Sequence, residues 1–276
     1  MAAFPEGTPC WVDAALPDVE AGKRFYGELF GWTFQQQGDG PYADVFSDGK
    51  LVAALAPKTD GRMPTVWGVY FATPDAAVLA GRITAAGGQV IVPPNPVGFP
   101  GASGIAATAA DPGGAVFGLW EAGDRAGFEK QGKPGSYCWA EVYTRDKERA
   151  DPFYETVFGY TGTDLEDDSV DFRLWSPRGA EPGEETAIGG RSVITDAFPA
   201  EMPDHFLIYF CVDDCDEAAA AVTRLDGRVQ APPFDTPYGR IAVLTDNQGA
   251  TFAVLAEPET EADDEIAAKE AEDAAK

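Results

Sequence analysis

Histidine is almost missing: His205 is the only one in 276 residues. No site built on two or three imidazoles can form, and a lone His without a second N or O ligand beside it is a poor metal site. Its better reading is a strand-start or rim residue. The four cysteines, Cys10, Cys138, Cys211 and Cys215, make no C-x-x-C pair and no zinc-like spacing. They read as free thiols of a reducing compartment. Basic residues are scarce, 20 Lys and Arg against 46 Asp and Glu, for a net charge of -26. Phosphate backbones would be repelled, which argues against nucleic acid as a partner. The excess acid serves solubility, or draws in a cationic ligand. No apolar run approaches the ~20 residues of a membrane span, so no membrane role is expected. The start, MAAFPEGTPC, shows no basic-then-apolar leader, and cytoplasmic residence is the default. No P-loop, G-x-G-x-x-G or G-x-S-x-G motif falls in a strand–helix context.

What is present is enough apolar material for real cores: 45% hydrophobic and 12% aromatic residues. The length suggests about two domains. The end of the chain is different. Residues 257–276 carry nine acids and two lysines and read as a solvated acidic tail.

A repeat organises the rest. Cys10-Trp11-Val12-Asp13 returns as Cys138-Trp139-Ala140-Glu141, and Phe25-Tyr26 with Phe30-Gly31-Trp32 returns as Phe153-Tyr154 with Phe158-Gly159-Tyr160, all at an offset of 128. Met63-Pro64, Tyr70-Phe71, Gly88 and Pro93-Pro94 return as Met202-Pro203, Tyr209-Phe210, Gly227 and Pro232-Pro233, at 139. Asp111, Gly114 and Phe117 return as Asp246, Gly249 and Phe252, at 135. The second copy therefore has eleven extra residues between 161 and 201 and four fewer near 101–110. The domains divide as 1–122 and 136–257, with a linker at 123–135 and the tail at 258–276.

Within the first copy, residues 10–16 alternate as a strand does. Pro17-Asp18 opens a helix, with Asp18 as cap, that Gly31 stops. Strands follow near 32–37, 42–47 and 51–56. A second round begins with a β-branched and aromatic strand at 65–72, a helix opened by Pro74-Asp75 and ended by Gly87-Gly88, and strands near 89–93, 104–109 and 115–121. Each copy is thus an α+β domain of two βαβββ modules.

This pattern resembles the vicinal oxygen chelate superfamily, the group of glyoxalases, bleomycin-resistance proteins and extradiol dioxygenases. The residues that carry the resemblance are Asp18 through Phe25-Tyr26 to Leu29-Phe30-Gly31-Trp32, its counterpart Asp146 through Phe153-Tyr154 to Phe158-Gly159-Tyr160, and the turn Asp111-Pro112-Gly113-Gly114. The tandem form with Cys-Trp in the first strand is similar to an actinobacterial glyoxalase-like or hydroxylase-like subgroup, with relatives among accessory proteins of polyketide-antibiotic biosynthesis. The resemblance implies a curved sheet round a cavity in each domain. It also implies a divalent metal in catalytic members, held by His, Glu or Gln on three strands. Here those positions are Trp11, Gly68 and Gly118 in the first copy, and Trp139, Leu207 and Ala253 in the second. None is a metal ligand, so no metal and no cofactor are expected. An edge carboxylate is the better reading of Glu121, the other candidate ligand.

Residues i and i+2 of a strand share a face. If the first-strand ligand position faces the cavity, so do Trp11 and Asp13, and Trp139, Glu141 and Tyr143. An aromatic platform with a carboxylate two residues on suits a flat ligand with positive charge or a hydrogen-bond donor. The plainer reading makes the tryptophans core and gives the carboxylates internal partners; both stand at this stage. Phe46, Met63, Trp67, Trp175 and Met202 are further wall candidates. So are His205, Phe206, Phe234 and Tyr238, and Phe99 in the loop NPVGFPGAS as a lid. Asp13 and Glu141 are also the candidate general acids or bases, since burial raises a carboxyl pKa.

Three functions compete. The first is a metal-free protein that binds or sequesters an aromatic small molecule, charged or not. The second is a metal-free lyase, isomerase or hydroxylase-type accessory enzyme using Asp13 or Glu141. The third is an interaction role for the acidic tail. The two copies can pair within one chain, so a monomer suffices, with a dimer as the alternative.

Overall fold

The computed structural model describes residues 4–37, 40, 42–98, 103–165 and 170–258. Phe99 and the tail from 259 onward lie outside them. The first domain runs β1 (Pro9–Leu16), α1 (Val19–Phe30), β2 (Thr33–Gln36), β3 (Ala43–Ser47) and β4 (Lys50–Pro57), then β5 (Val66–Ala72), α2 (Ala76–Ala85), β6 (Gln89–Val97), β7 (Gly104–Ala110) and β8 (Val116–Ala122). The second repeats it with β9 (Tyr137–Thr144), α3 (Lys147–Phe158), β10 (Thr161–Asp164), β11 (Phe172–Ser176) and β12 (Gly189–Val193). It continues with β13 (His205–Cys211), α4 (Cys215–Arg224), β14 (Arg228–Thr236), β15 (Gly239–Thr245) and β16 (Thr251–Ala256). Each domain is one open eight-stranded sheet, ordered β2-β3-β4-β1-β5-β8-β7-β6 and β10-β11-β12-β9-β13-β16-β15-β14. The expected two βαβββ modules per domain are therefore present, joined side by side through β1–β5 and β9–β13.

Local chemistry sets the helix ends. The Asp18 carboxylate accepts from Ala21 N at the start of α1, and Gly31 ends it in the left-handed region at φ 68°. Asp146 and Gly159 do the same for α3. Side-chain caps of this kind satisfy backbone N–H groups that no helix carbonyl can reach.

Strand alternation gives each sheet a packed face and an open face. On β5, Trp67, Val69 and Phe71 are buried on the packed face; Gly68 and Tyr70 point the other way. The packed faces of the two domains meet each other. Trp67 lies 4.9 Å from Phe210, and Phe71 lies 5.7 Å from Phe206, ring centre to ring centre. Helices and turns then clasp across. Tyr26 of α1 donates its hydroxyl hydrogen to Asp246, in the turn before β16, at 2.8 Å. Its repeat equivalent Tyr154, on α3, donates to Asp111, in the turn before β8, at 3.0 Å. The recurring Phe-Tyr and Asp-x-x-Gly signatures are thus partners of each other, in opposite domains. Asp111 Oδ1 also accepts from Gly113, Gly114 and Ala115 N, so one carboxylate ties the turn and receives the clasp.

Residues 123–135, expected as a linker, form a strap over the open face of the first sheet. Phe128 N donates to Cys10 O, Glu129 N to Leu51 O, and Arg125 N to Ser103 O. Among the described residues all four cysteines are free, and no helix is long and apolar enough to cross a membrane.

Candidate functional site

The open faces carry the repeated carboxyl positions. In the first domain the register sets Trp11 beside Tyr70, Asp13 beside Gly68, and Tyr70 beside Gly118. Tyr70 donates its hydroxyl hydrogen to Asp13 Oδ2 at 2.9 Å. Burial raises the Asp13 carboxyl from 3.8 to about 6, against the lowering effect of that bond. The strap then lays its own cation on the platform. The Arg125 guanidinium sits 5.1 Å over the Trp11 ring, within cation–π range. It makes a two-pronged pair with Asp44, at 2.7 and 2.5 Å. Phe128 packs 6.0 Å from Trp11 and stacks 4.9 Å from Tyr137. Trp11 is left 5% exposed.

In the second domain the same skeleton carries different groups. Glu141 is buried. It accepts from Tyr209 Oη at 2.8 Å and from Trp139 Nε1 at 3.3 Å. Burial pushes its carboxyl up, against the lowering effect of bonds from Tyr209, Tyr143 and Trp139. The positions of Tyr42 and Asp44 on the sheet become Phe172 and Leu174, since Asp44 pairs with Ala54 beside Asp13 and Leu174 pairs with Gly190 beside Glu141. Among the described residues no carboxylate stands there in place of Asp44. Trp139 and Tyr143 remain part-exposed, and His205 stacks flat on Tyr143 at 5.2 Å and 11°. Leu207, Tyr209, Ile241, Val243 and Leu255 complete an apolar surface round Trp139.

The metal positions implied by the resemblance do lie together on neighbouring strands. They do not fit a metal ion, because indole, hydrogen and alkyl groups offer it no donor pair. The Tyr70 ring also lies where a side chain at position 118 would begin. Among the described residues no group of three or more His, Cys, Asp or Glu side chains could hold a metal ion.

The structure brings Trp11 and Asp13 together on one face, and Trp139, Glu141, Tyr143 and His205 on the other. Three further wall candidates it places elsewhere, whereas Phe234, paired with Ile241, shares the face of the second set. Trp67, Trp175 and Phe206 belong to the packed face: Trp67 Nε1 donates to Tyr26 Oη at 2.9 Å, Trp175 lies 4.5 Å from the Tyr154 ring, and Phe206 sits among Phe71, Phe117 and Tyr154. This corrects their reading as cavity walls. The physical reason is parity: an aromatic residue alternates equally well on either face, and the packed face is where the other domain arrives. Phe46 is half-buried against the main core. Met63, Phe234 and Tyr238 are 54%, 46% and 44% exposed, while Met202 lies in the turn whose carbonyls receive Arg145. Sequence reasoning missed Tyr70, Tyr209 and Arg125 as site residues. The two tyrosines did carry a signal, since they recur in register with the acids they bond.

The family model of the Glyoxalase/Bleomycin resistance protein/Dioxygenase superfamily matches residues 11–119 and again 136–254. The chain is 37% identical over 273 residues to the anthracycline biosynthesis protein DauV of Streptomyces sp. (strain C5), covering 92% of this chain and 95% of that one. It is 36% identical over 261 residues to the putative glyoxylase CFP32 of Mycobacterium bovis, covering 91% and 95%. Among solved structures, the Mn(II)-bound glyoxalase from Novosphingobium aromaticivorans shares the fold with a TM-score of 0.65 at 16% identity, over 93% of this chain and 84% of that one. The 2,3-dioxygenase LapB from Pseudomonas sp. KL28 follows at 0.61 and 12%, over 94% and 96%. With two domains of the same architecture, each matched along nearly its whole length, this chain belongs to the Glyoxalase/Bleomycin resistance protein/Dioxygenase superfamily.

Proposed function

We propose that the chain binds a planar aromatic small molecule on the open face of its second domain, one per chain, without a resident metal ion at that face. One observation carries the reading. The Trp139 indole, with the buried Glu141 carboxyl beside it, stays part-exposed on an apolar surface, whereas its equivalent Trp11 is covered by the protein's own Arg125 and Phe128. Stacking on Trp139 and Tyr143 supplies the affinity. Glu141, held by Tyr209, accepts one directional hydrogen bond from a hydroxyl on the ring. The ligand class is also supported by the relative named for anthracycline biosynthesis, which favours an accessory or sequestering protein of cytoplasmic secondary metabolism.

A second reading rests on the same carboxyl. A buried carboxyl hydrogen-bonded beside an open aromatic face is a candidate general acid or base, which would make the chain a metal-free lyase, isomerase or hydroxylase-type accessory. Glu141→Gln separates the two, because it keeps a neutral hydrogen-bonding group but cannot exchange a proton.

The test is tryptophan-fluorescence titration with hydroxyquinones and other flat aromatics, with and without chelator. Saturation at one equivalent is expected, with an at least tenfold loss in Trp139→Leu, as removal of ~1.4 kcal/mol of stacking requires. Trp11→Leu should bind as wild type. Binding that chelator abolishes, together with stoichiometric bound metal, would overturn the proposal. Turnover that Glu141→Gln eliminates while binding persists would select the enzymatic reading.

A further inference from the structure

A groove of 660 Å³ opens between α1 and α4. Across the molecule's internal repeat, between α2 and α3, the corresponding space is bridged by Arg82. There Arg82 sends Nη1 to Glu6 Oε1 at 2.6 Å and to the Val157 carbonyl at 3.4 Å. Val157 lies in the last turn of α3, where the helix adds partial negative charge. The three repeat equivalents of this ion site are Ala221 for Arg82, Pro134 for Glu6 and Leu29 for Val157, and all three line the groove.

The arginine has thus been cut back to a methyl group, and the negative charge has risen rather than fallen. Thr156, Pro74 and Val78 of the bridged half become Glu28, Asp213 and Glu217 here, each also lining the groove. Asp48 is engaged by Lys130 at 2.8 Å, and the Asp214 carboxylate caps α4. Among the described residues the Glu28, Asp213 and Glu217 side chains make no such bond. Arg224, exposed near the end of α4, is the one basic residue of the lining. Phe30, Ala218 and Ala221 supply an apolar wall.

We infer that this groove binds an organic cation, seating a guanidinium or primary ammonium group where the other half of the chain seats Arg82. The carbonyl end of α1 and the Glu28 and Glu217 carboxylates accept its hydrogen bonds. The apolar wall covers the attached alkyl part. This site is independent of the aromatic face proposed above and shares no residue with it.

The experiment is calorimetric titration of the full chain with n-butylguanidine, against the near-isosteric neutral n-butylurea. One saturable equivalent of the guanidine is expected, at least tenfold tighter than the urea and weakened by salt. Ala221→Arg should abolish it by restoring the arginine of the other half. Glu217→Gln, on the surface and harmless to folding, should weaken it several-fold. Arg82→Ala should add a second equivalent. Trp139→Leu should leave it unchanged, so the two sites fail or stand separately. Equal affinity for the urea, or guanidine binding that neither Ala221→Arg nor Glu217→Gln alters, would overturn the inference and leave only diffuse attraction to an acidic chain.

Discussion

Asp13 and Glu141 occupy one position of the repeat, and each bonds the tyrosine of the neighbouring strand. Their titration is where the open faces become measurable. Asp13 moves from 3.8 to about 6 because burial disfavours the carboxylate. The folded state therefore holds its proton longer than the unfolded chain does. Between these two values the folded state binds more protons, so stability falls as pH rises, and above about 6 the charge costs on the order of 3 kcal/mol. Glu141 contributes with the same sign. Asp13→Asn should remove its share of the slope and leave the variant more stable than wild type at pH 7. Urea unfolding of both proteins from pH 4 to 7 measures this as a difference curve, in which other titrating groups cancel. Parallel curves would show that Asp13 titrates normally.

At the scale of elements, the strap decides which open face is available. Its anchor is the Arg125–Asp44 pair, both side chains at most 10% exposed. A buried pair is a poor source of net stability, but removing one partner strands the other charge. Asp44→Ala should cost about 3–5 kcal/mol in denaturant unfolding. Asp44→Asn, which keeps an acceptor, should cost less. If Asp44→Ala proved neutral, Arg125 would have found water, and the strap would not be closing the first face. The ionic cluster on α3 works differently. Arg191, 1% exposed, meets Asp151 at 3.1 Å and Asp171 at 2.6 Å, and Lys147 holds Asp171 below the usual carboxylate range. That network fastens α3 to β11 and β12 on the packed-face side of the sheet, in register with Val142 and Phe206, and takes no part in the open one.

At the scale of the molecule, the two domains share one core. Trp67, Phe71 and Phe117 are covered by Phe210, Phe206 and Phe158 of the other domain, and the two Tyr–Asp clasps cross the same boundary. Unfolding should therefore be a single transition whether followed by near- or far-ultraviolet circular dichroism. Residues 1–122 alone should lack fixed near-ultraviolet signals, because their packed face would be in water. Tyr26→Phe and Tyr154→Phe each leave a buried Asp short of one donor and should cost about 1–3 kcal/mol. Two separate transitions in either variant would mean that the clasps join domains already stable by themselves.

The sequence by itself determined what local chemistry and repetition can encode. Asp18, Gly31, Asp75, Asp146 and Gly159 fix helix ends through their own backbone and side-chain preferences, so element order and the two-domain division were legible. Trp11 with Asp13, and Trp139 with Glu141 and Tyr143, share faces because a strand repeats every two residues. Only the tertiary structure decided which face was which. Trp67 and Phe206 alternate as a cavity wall would, yet point into the other domain, and Trp175 packs on Tyr154 and Tyr160 of its own, because parity carries no information about what lies opposite. Arg125 sits in a stretch with no periodicity at all, and its partners Trp11 and Asp44 are 114 and 81 residues away. A contact of that range is set by how two sheets and a strap pack, not by any neighbour in the chain.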